Sequence, residues 1–426
     1  MSISDTAAQP NGSVRRLWQH ADFLKLLAGE TISDIGSQVG DLALPLAAAL
    51  VLNASPGQMA ALRAAEYVPR IVVGLVAGVC VDRLRRRPLL IVTNIARALL
   101  LLAVAITAAV GLLRIELLYV VGVLMAALGV VFGITLQAYL PSLVPARWLV
   151  AANSARATSR AATEVIGQAL AGILIQLLGV AGAVALDGVS FLASVAGTTL
   201  IRTAEPAPPP KGERRRLVVE LVEGLHSLTS DPILRAFQAT AVTAQFFYSV
   251  IMAIYVLYLT RELGLSPTGV GLIFGFGGGV GVLVGSAAAA GVARLVGLGR
   301  TLVIAHILFG FFGILLALTA AWRAQAALLV LVSEFAQLSV NAVYMVNRSS
   351  VEQAVTPPSL RGRVQASRMV AHAASGTFGI LVGGAFGEQF GTSAAIVFGV
   401  VGGLFSFVWL WRSPIRSLKA FPKATE

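Results

Sequence analysis

Long apolar stretches separated by short polar turns dominate this chain of 426 residues. A hydrocarbon core of about 30 Å needs about 20 apolar residues per helix. The period-two alternation of barrel strands is absent, so helices satisfy the backbone in lipid. The pattern predicts twelve transmembrane helices, at residues 22–50, 58–80, 88–112, 116–139, 158–179, 181–201, 234–260, 268–293, 301–320, 324–347, 367–389 and 392–411.

Composition supports an all-α integral membrane protein, because 57% of the residues are hydrophobic and only 12% are charged. The single cysteine, Cys80, excludes a disulfide within the chain and a multi-cysteine metal site. No cleavable signal is expected, because the first apolar stretch is too long for a signal peptide. The lipid bilayer is therefore the first predicted partner.

The net charge of +12 reports topology here rather than nucleic-acid binding. With both termini on one side of the membrane, the opposite loops hold only Arg114, Arg261 and Arg323 among the basic residues. Cytoplasmic loops carry the excess of arginine and lysine in membrane proteins. The distribution predicts a multi-pass protein of the cell membrane with both termini in the cytoplasm.

A proline-rich basic segment, "EPAPPPKGERRR", divides the predicted helices six and six. Leu217, Leu221, Leu225 and Leu228 follow it on one helical face, which indicates an amphipathic helix on the membrane surface. The predicted organisation is an N-terminal segment, a six-helix bundle, a linker, a second six-helix bundle and a tail, at residues 1–21, 22–201, 202–233, 234–411 and 412–426.

The two halves share traces of one sequence. "AGVCVDRLRRRPL" at residue 77 aligns without gaps with "AGVARLVGLGRTL" at residue 290. An offset of 212 residues likewise matches Arg156 with Arg368 and Gly167 with Gly379. These matches predict a duplicated six-helix unit, and transporters that rock around a site near the membrane midplane are built from such repeats.

Twelve spans in two halves, with a glycine, an aspartate and arginines in the turn between helices 2 and 3, resemble the major facilitator superfamily. "ALPLAAAL", "VDRLRRRPLL", "LPSLVP", "EGLHSLTSDPILRAF" and "TPPSLRGRVQA" resemble its drug- and siderophore-exporting subgroup, which includes enterobactin exporters and macrolide efflux proteins. Two positions depart from the family patterns. Arg85 stands where the turn often has a second glycine, and Gln168 stands where the helix 5 antiporter motif has proline.

The resemblance implies that the turn between helices 2 and 3 is a cytoplasmic gate formed by Gly78, Asp82, Arg83, Arg86 and Arg87. Gly78 permits close helix approach, and the Asp82 carboxylate can accept hydrogen bonds from a neighbouring helix N-terminus. The arginines can pair with acids or with lipid phosphates while this face is closed. The alternative is that they only enforce topology.

Ionisable residues inside the spans are candidates for function because their burial in lipid is costly. Glu30, Asp34 and Asp41 of helix 1 lie within about 40° of one another at 100° per residue. Asp34 is nearest the midplane and is the first candidate for a proton site, with Glu30 and Asp41 nearer the two mouths. Arg97, midway along helix 3, is the predicted counter-charge. The alternative is a structural set of salt bridges.

Further charged positions are weaker candidates for a substrate site or an outer gate. Arg63, Glu66 and Arg70 share one face of helix 2, where an internally compensated triad is the simpler interpretation. The aromatic cluster of helix 7 suggests a hydrophobic substrate or ordinary helix packing. The remaining candidates are Glu164, Asp187, His306, Glu334 and Tyr255.

The sequence offers no machinery for ATP-driven transport or for membrane enzymology. The glycine run "GFGGGVGVLVG" lacks the lysine of a phosphate-binding loop, and its four-residue spacing predicts close helix packing instead. We expect no cofactor, no metal and no enzymatic activity. The predicted function is proton-driven export of amphipathic small molecules by a functional monomer. The alternatives are uptake or facilitated diffusion without proton coupling, and a receptor or scaffold that transports nothing.

Overall fold

A computed structural model describes residues 17–81, 84–203, 205, 230–357 and 360–418. All regular structure among these residues is helical, which confirms the predicted fold class. The long helices are α1 (Ala21–Leu46, continued by a π-helical turn over Ala47–Val51), α2 (Pro56–Val81), α3 (Arg86–Ala109), α4 (Ile115–Leu143), α5 (149–178), α6 (180–199), α7 (Pro232–Leu257, continued by a π-helical turn over Tyr258–Glu262), α8 (Pro267–Val296, π-helical over Ile273–Val280), α9 (Leu298–Leu318), α10 (Ala326–Val355), α11 (Arg361–Phe390) and α12 (Thr392–Leu404 and Phe407–Trp411).

These helices match the predicted apolar stretches one for one. Ten continuous helical stretches among the described residues are long and apolar enough to cross a membrane, and one of them contains both α5 and α6. α2 has 26 residues, about 39 Å of helix, which exceeds the hydrocarbon thickness as well. The leucine-rich face predicted at residues 217–228 lies outside the described residues.

Three helix ends extend well beyond the prediction. α5 begins nine residues earlier than expected, α10 ends eight residues later, and α11 begins six residues earlier. The physical reason is that hydropathy marks only the part of a helix that lies in lipid. Polar residues such as Arg348 and Glu352 continue the same helix and bury their charges against each other.

Local sequence signals explain where several helices begin. The Ser55 hydroxyl accepts from the Gln58 amide at 3.3 Å, and the Gln58 side chain accepts from the Ser55 amide at 2.9 Å, a capping box at the start of α2. Asp231 caps α7 and Ser266 caps α8, each directly before a proline in the first turn. α5 and α6 meet at Gly179, whose φ of 69° suits glycine.

The chain forms two compact units. Unit 1 comprises residues 1–44 and 69–212, and unit 2 comprises residues 45–68 and 213–426. The hairpin of residues 45–68 therefore packs with the second unit, although the sequence places it within the first six-helix bundle. Pro45 of α1 and Pro69 of α2 stand at the two borders of this hairpin, and each removes one intrahelical hydrogen bond there.

Specific contacts hold the hairpin in unit 2. The Gly57 amide donates to the Glu388 carboxylate of α11 at 2.9 Å, and the Arg261 guanidinium donates to the Ala49 carbonyl at 2.8 Å. A side chain at Gly384 of α11 would overlap Ala60, so α2 and α11 approach closely. Backbone groups freed by the π-helical turn and the helix start are thus satisfied by side chains of unit 2.

Candidate functional site

Unit 1 contains a cluster of intramembrane charges around Arg97 of α3. The Arg97 guanidinium carbon lies 4.0 Å from the ring centre of Phe191 on α6 and 6.0 Å from that of Phe132 on α4. Its Nη1 approaches Asn94 Oδ1 at 3.5 Å, and its buried Nε makes no hydrogen bond. Within the described part of the chain, no carboxylate oxygen lies within 4 Å of this guanidinium. Arg97 is therefore held by aromatic faces and by longer-range charge.

Asp187 of α6 is the carboxylate that acts most strongly on Arg97, ahead of Asp41 and Asp34. Its side chain is 2% exposed and receives a weak hydrogen bond from the Ser190 hydroxyl at 3.4 Å. A side chain at Gly40 of α1 would overlap the Asp187 carboxylate, so the carboxyl group fills the place that glycine leaves open. We call Arg97, Asp34, Asp41 and Asp187 the Arg97 site.

The structure changes the sequence-based picture of the acids in α1. Glu30 is 7% exposed and pairs with Arg156 of α5, with 3.0 Å between Oε2 and Nε. Asp34 is half-buried within electrostatic range of Arg160, Arg156 and Arg97, whereas Asp41 is exposed. Neither Asp34 nor Asp41 is a direct counter-ion of Arg97, because no ion pair within 4 Å joins them.

Asp187 was only a weak candidate in the sequence, although a usable signal was present. Gly36 and Gly40 are spaced four residues apart in α1, which marks a face where another helix approaches closely. Asp187 is the only acid in α6. A lone acid opposite a face of glycines has room for its carboxyl group, and this combination distinguishes it from the other candidates.

The turn between α2 and α3 binds the end of α6. Arg87 donates to the carbonyls of Thr198 and Thr199 at 3.2 and 2.8 Å. The backbone amides of Arg86 and Arg87 donate to the Glu205 carboxylate at 2.5 and 3.2 Å. Each charge thus lies at the helix end of opposite dipole sign. The Arg87 guanidinium thus binds backbone carbonyls of α6, and its pairing with acids or lipid phosphates stays a prediction. Gly78 lies within α2, and Asp82 and Arg83 lie outside the described residues.

A second set of hydrogen bonds at the same end of unit 1 was not predicted. Asp22 accepts from the amides of Arg202 and Thr203 at 3.0 and 2.9 Å, and Lys25 donates to the Leu200 carbonyl at 2.8 Å. These bonds fix the start of the predicted linker against α1. Only the polar residues at the start of α1 hinted at this role.

The predicted triad of α2 is divided between the two units. Arg63 and Glu66 form an ion pair at 3.2 Å within the hairpin of residues 45–68. Arg70 is exposed, belongs to unit 1 and lies within electrostatic range of Arg97. A role of these three residues at a substrate site or an outer gate stays a prediction.

Unit 2 contains two further groups of polar residues. The Tyr255 hydroxyl of α7 donates to Glu334 Oε1 of α10 at 2.5 Å. Nearer the end of α10, Arg348 binds Glu352 at 2.9 Å, and Arg368 of α11 binds the same carboxylate. Arg348 and Glu352 were missed, although charges four residues apart in one helix are a recognisable signal.

Two weaker candidates have ordinary surroundings. His306 is buried, and its Nε2 lies 2.8 Å from the Ser406 hydroxyl. Glu164 is exposed and lies in the middle of α5, not near a helix end, because α5 begins at residue 149. Among the described residues, no group of three or more histidine, cysteine, aspartate or glutamate side chains could hold a metal ion.

Comparison with known proteins decides the family. The sequence profile of the Major Facilitator Superfamily matches residues 26–346 and, in an overlapping second match, residues 238–425. The chain belongs to the Major Facilitator Superfamily. Members of the Major Facilitator Superfamily are secondary transporters, so this multi-pass membrane protein moves a small molecule and is not an enzyme.

Individual relatives are more distant. A segment of 76 residues is 38% identical to the uncharacterized MFS-type transporter YfiS of Bacillus subtilis (strain 168), and this segment spans 18% of either protein. A bacterial homologue of the iron transporter ferroportin, solved in its inward-facing state, has 17% identity and a TM-score of 0.73, with 92% of this chain and 98% of that chain covered.

Other solved members of the Major Facilitator Superfamily share the fold at still lower identity. The nucleoside transporter NupG has 11% identity and a TM-score of 0.70, over 92% of this chain and 99% of that chain. A D-xylose–proton symporter has 15% identity and a TM-score of 0.63, over 94% and 97%. At these identities the similarity shows the fold alone.

Proposed function

We propose that the protein is a proton-coupled exporter of amphipathic small molecules, such as drugs, siderophores or secondary metabolites. We further propose that it works as a monomer in the cell membrane with both termini in the cytoplasm. The resemblance of five segments to the drug- and siderophore-exporting subgroup supports export. The excess of arginine and lysine on one side supports the orientation.

The Arg97 site is the observation that carries the proton coupling. It combines one buried guanidinium with three carboxylates at different degrees of burial, and the Arg97 Nε has no hydrogen-bond partner. A carboxyl group that exchanges an arginine partner for a drier setting during a conformational change takes up and releases a proton. Asp34 is the first candidate for the proton site, because it is half-buried and lies within electrostatic range of three arginines.

The turn that contains Gly78, Asp82, Arg83, Arg86 and Arg87 is proposed as the cytoplasmic gate. The family resemblance supports this role, and the hydrogen bonds from Arg87 to α6 and from the start of α3 to Glu205 give the turn defined partners. Breaking these hydrogen bonds would release the start of α3 from the end of α6.

Transport in proteoliposomes tests the proposed function. Substrates would first be found by comparing a deletion strain with its parent against a panel of antibiotics and siderophores. Purified wild-type protein is then expected to concentrate such a substrate when a pH difference is imposed. Asp34→Asn removes the exchangeable proton, so we expect exchange at equilibrium to persist and accumulation against a gradient to be lost.

The matched control is Glu116→Gln, which neutralises an exposed acid in the first turn of α4 and should leave accumulation unchanged. If Asp34→Asn concentrates substrate as well as the wild type at equal expression, Asp34 is structural and Asp187, Glu30 and Asp41 are tested next. Wild-type transport that ignores the pH difference would contradict proton coupling and support facilitated diffusion.

A further inference from the structure

Glu334 is a half-buried carboxyl group on α10 of unit 2. Its Oε1 accepts the hydrogen bond from Tyr255. Among the described residues, no nitrogen of lysine, arginine or histidine lies within 4 Å of its oxygens. Arg63, the cation of the neighbouring hairpin, is paired with Glu66. One tyrosine hydroxyl does not balance a carboxylate at membrane depth, where acids are otherwise paired.

The carboxyl group is accessible beside Tyr248 of α7. Glu334 is half-buried, and 44% of the Tyr248 side chain is accessible, whereas Tyr255 is buried. Tyr248 and Tyr255 are seven residues apart, so they share one face of α7 about 10 Å apart along its axis. We call Glu334 and these two tyrosines the Glu334 site.

An aromatic residue on an irregular segment of α8 lies near Glu334. The Phe274 ring of α8 meets the Tyr255 ring edge to face, with 5.7 Å between centres. Phe274 belongs to the π-helical segment Ile273–Val280, a feature often found at functional sites. In the same segment, a side chain at Gly277 would come within 3.1 Å of Glu334 Cβ, so glycine lets α8 approach α10 closely beside Glu334.

We propose that the Glu334 site binds an organic cation, a quaternary or protonated amine with an apolar body, whose positive charge lies against the Glu334 carboxylate beside the accessible rings of Tyr248 and Phe274. A carboxylate supplies the counter-charge, and aromatic faces attract a cation that carries no strong hydration shell. An inorganic divalent ion instead needs several oxygen ligands in a closed shell. The inference rests on the proposed function as a small-molecule transporter, because it names the class of substrate.

Binding of permanently charged probes to the purified full-length protein tests the inference. The probes are tetraphenylphosphonium, benzyltrimethylammonium and neopentylbenzene, which is the neutral carbon isostere of the second probe. Isothermal titration calorimetry would compare the wild type with Glu334→Gln, Glu334→Asp, Tyr255→Phe and the control Glu116→Gln. We expect Glu334→Gln to weaken binding of both cations at least about tenfold and to leave the neutral probe unchanged.

Glu334→Asp should retain most of the cation affinity, and Tyr255→Phe should lose only part of it, because the carboxylate remains. Three results would overturn the inference: unchanged cation affinity in Glu334→Gln, an equal loss for the neutral probe, or a wild type that binds neither cation more tightly than neopentylbenzene. The first result is expected if Glu334 only carries a proton, and the second if it only supports the fold.

This experiment is independent of proton coupling. If wild-type proteoliposomes fail to concentrate any substrate under a pH difference, the proposed exporter mechanism fails while the binding result stands. If accumulation succeeds but Glu334→Gln binds the cations normally, the substrate class is wrong and the exporter mechanism stands.

Discussion

At the scale of single residues, the Arg97 site depends on how its charges are balanced inside the membrane. Arg97 lies against the Phe191 ring, and Asp187 supplies the strongest opposing charge. Burying either charge alone is costly because the interior cannot replace its hydration. The two residues should therefore be coupled in stability even though they make no direct ion pair.

Replacing Arg97 by methionine tests this coupling. Arg97→Met should lower the free energy of unfolding by about 3 kcal/mol, because Asp187 is left buried without an opposing charge. Adding Asp187→Asn should restore most of that loss. Thermal unfolding of the detergent-purified variants, followed by size-exclusion chromatography, measures both effects.

The control for this cycle is Asp41→Asn, which neutralises the exposed acid of the same site. Combined with Arg97→Met it should restore little, because protein does not enclose Asp41 as it encloses Asp187. Equal rescue by both aspartate substitutions would mean that net charge, rather than the buried carboxyl group of Asp187, governs stability.

At the scale of helices, glycine decides how closely α8 packs on α10. A side chain at Gly281 would come within 2.6 Å of the Phe335 carbonyl oxygen, and one at Gly285 would overlap the Ser339 carbonyl. The predicted close packing of this glycine run is thereby confirmed. The contacts are with backbone atoms, which cannot rotate away as a flexible side chain can.

Two alanine substitutions in the same helix separate packing from helix propensity. Gly285→Ala should cost about 1–3 kcal/mol through overpacking. Gly291→Ala meets no atom within 4 Å and should stabilise α8 by up to about 1 kcal/mol through its higher helix propensity. Melting temperatures of the two variants are the measurement, and a Gly285→Ala variant as stable as Gly291→Ala would contradict the packing argument.

The helices could be predicted from the sequence because lipid demands long apolar stretches, but their polar ends could not. α10 continues to Val355 although its apolar stretch stops near residue 347, because Glu352 forms ion pairs with both Arg348 and Arg368. Because these residues are charged, hydropathy predicts that the span ends before them. Only the i, i+4 spacing of Arg348 and Glu352 signalled that the helix goes on.

At the scale of the whole molecule, the matched arginines of the two halves have similar surroundings. Arg156 pairs with the buried Glu30 in unit 1, and Arg368, its match at an offset of 212 residues, pairs with the buried Glu352 in unit 2. The glutamates come from different helices of each unit, so their positions do not follow the repeat. The repeat predicted the arginines but not their partners.

The sequence predicted some residues of the candidate sites but not which residues contact one another. Asp34 and Arg97 stand out because charge is rare inside apolar helices. The proximity of Asp187 to Arg97, and the bond from Tyr255 to Glu334, depend on the rotation of each helix about its axis. That rotation is set by packing between helices distant in sequence, which one helix alone does not encode.

The hairpin of residues 45–68 provides a prediction at this scale. Glu388→Ala removes the acceptor of the Gly57 amide, so the start of α2 should open more often. Hydrogen exchange measured by mass spectrometry should become faster in peptides that cover residues 52–62. Glu164→Ala, at an exposed position of α5, is the control and should leave these peptides unchanged. Unchanged exchange in Glu388→Ala would mean that the hairpin is held by its apolar contacts alone.

The bond between Gly57 and Glu388 also constrains how the protein is made. Its partners are 331 residues apart in the chain. Because ribosomes add roughly 5–20 residues per second, about 20 to 60 s pass between the synthesis of Gly57 and that of Glu388. During that interval the hairpin lacks the Glu388 side chain that accepts from its Gly57 amide. A ribosome stalled before α11 should therefore hold a hairpin whose residues 52–62 are open to protease. The start of α2 thus reaches its final hydrogen bonding only after α11 has been synthesised.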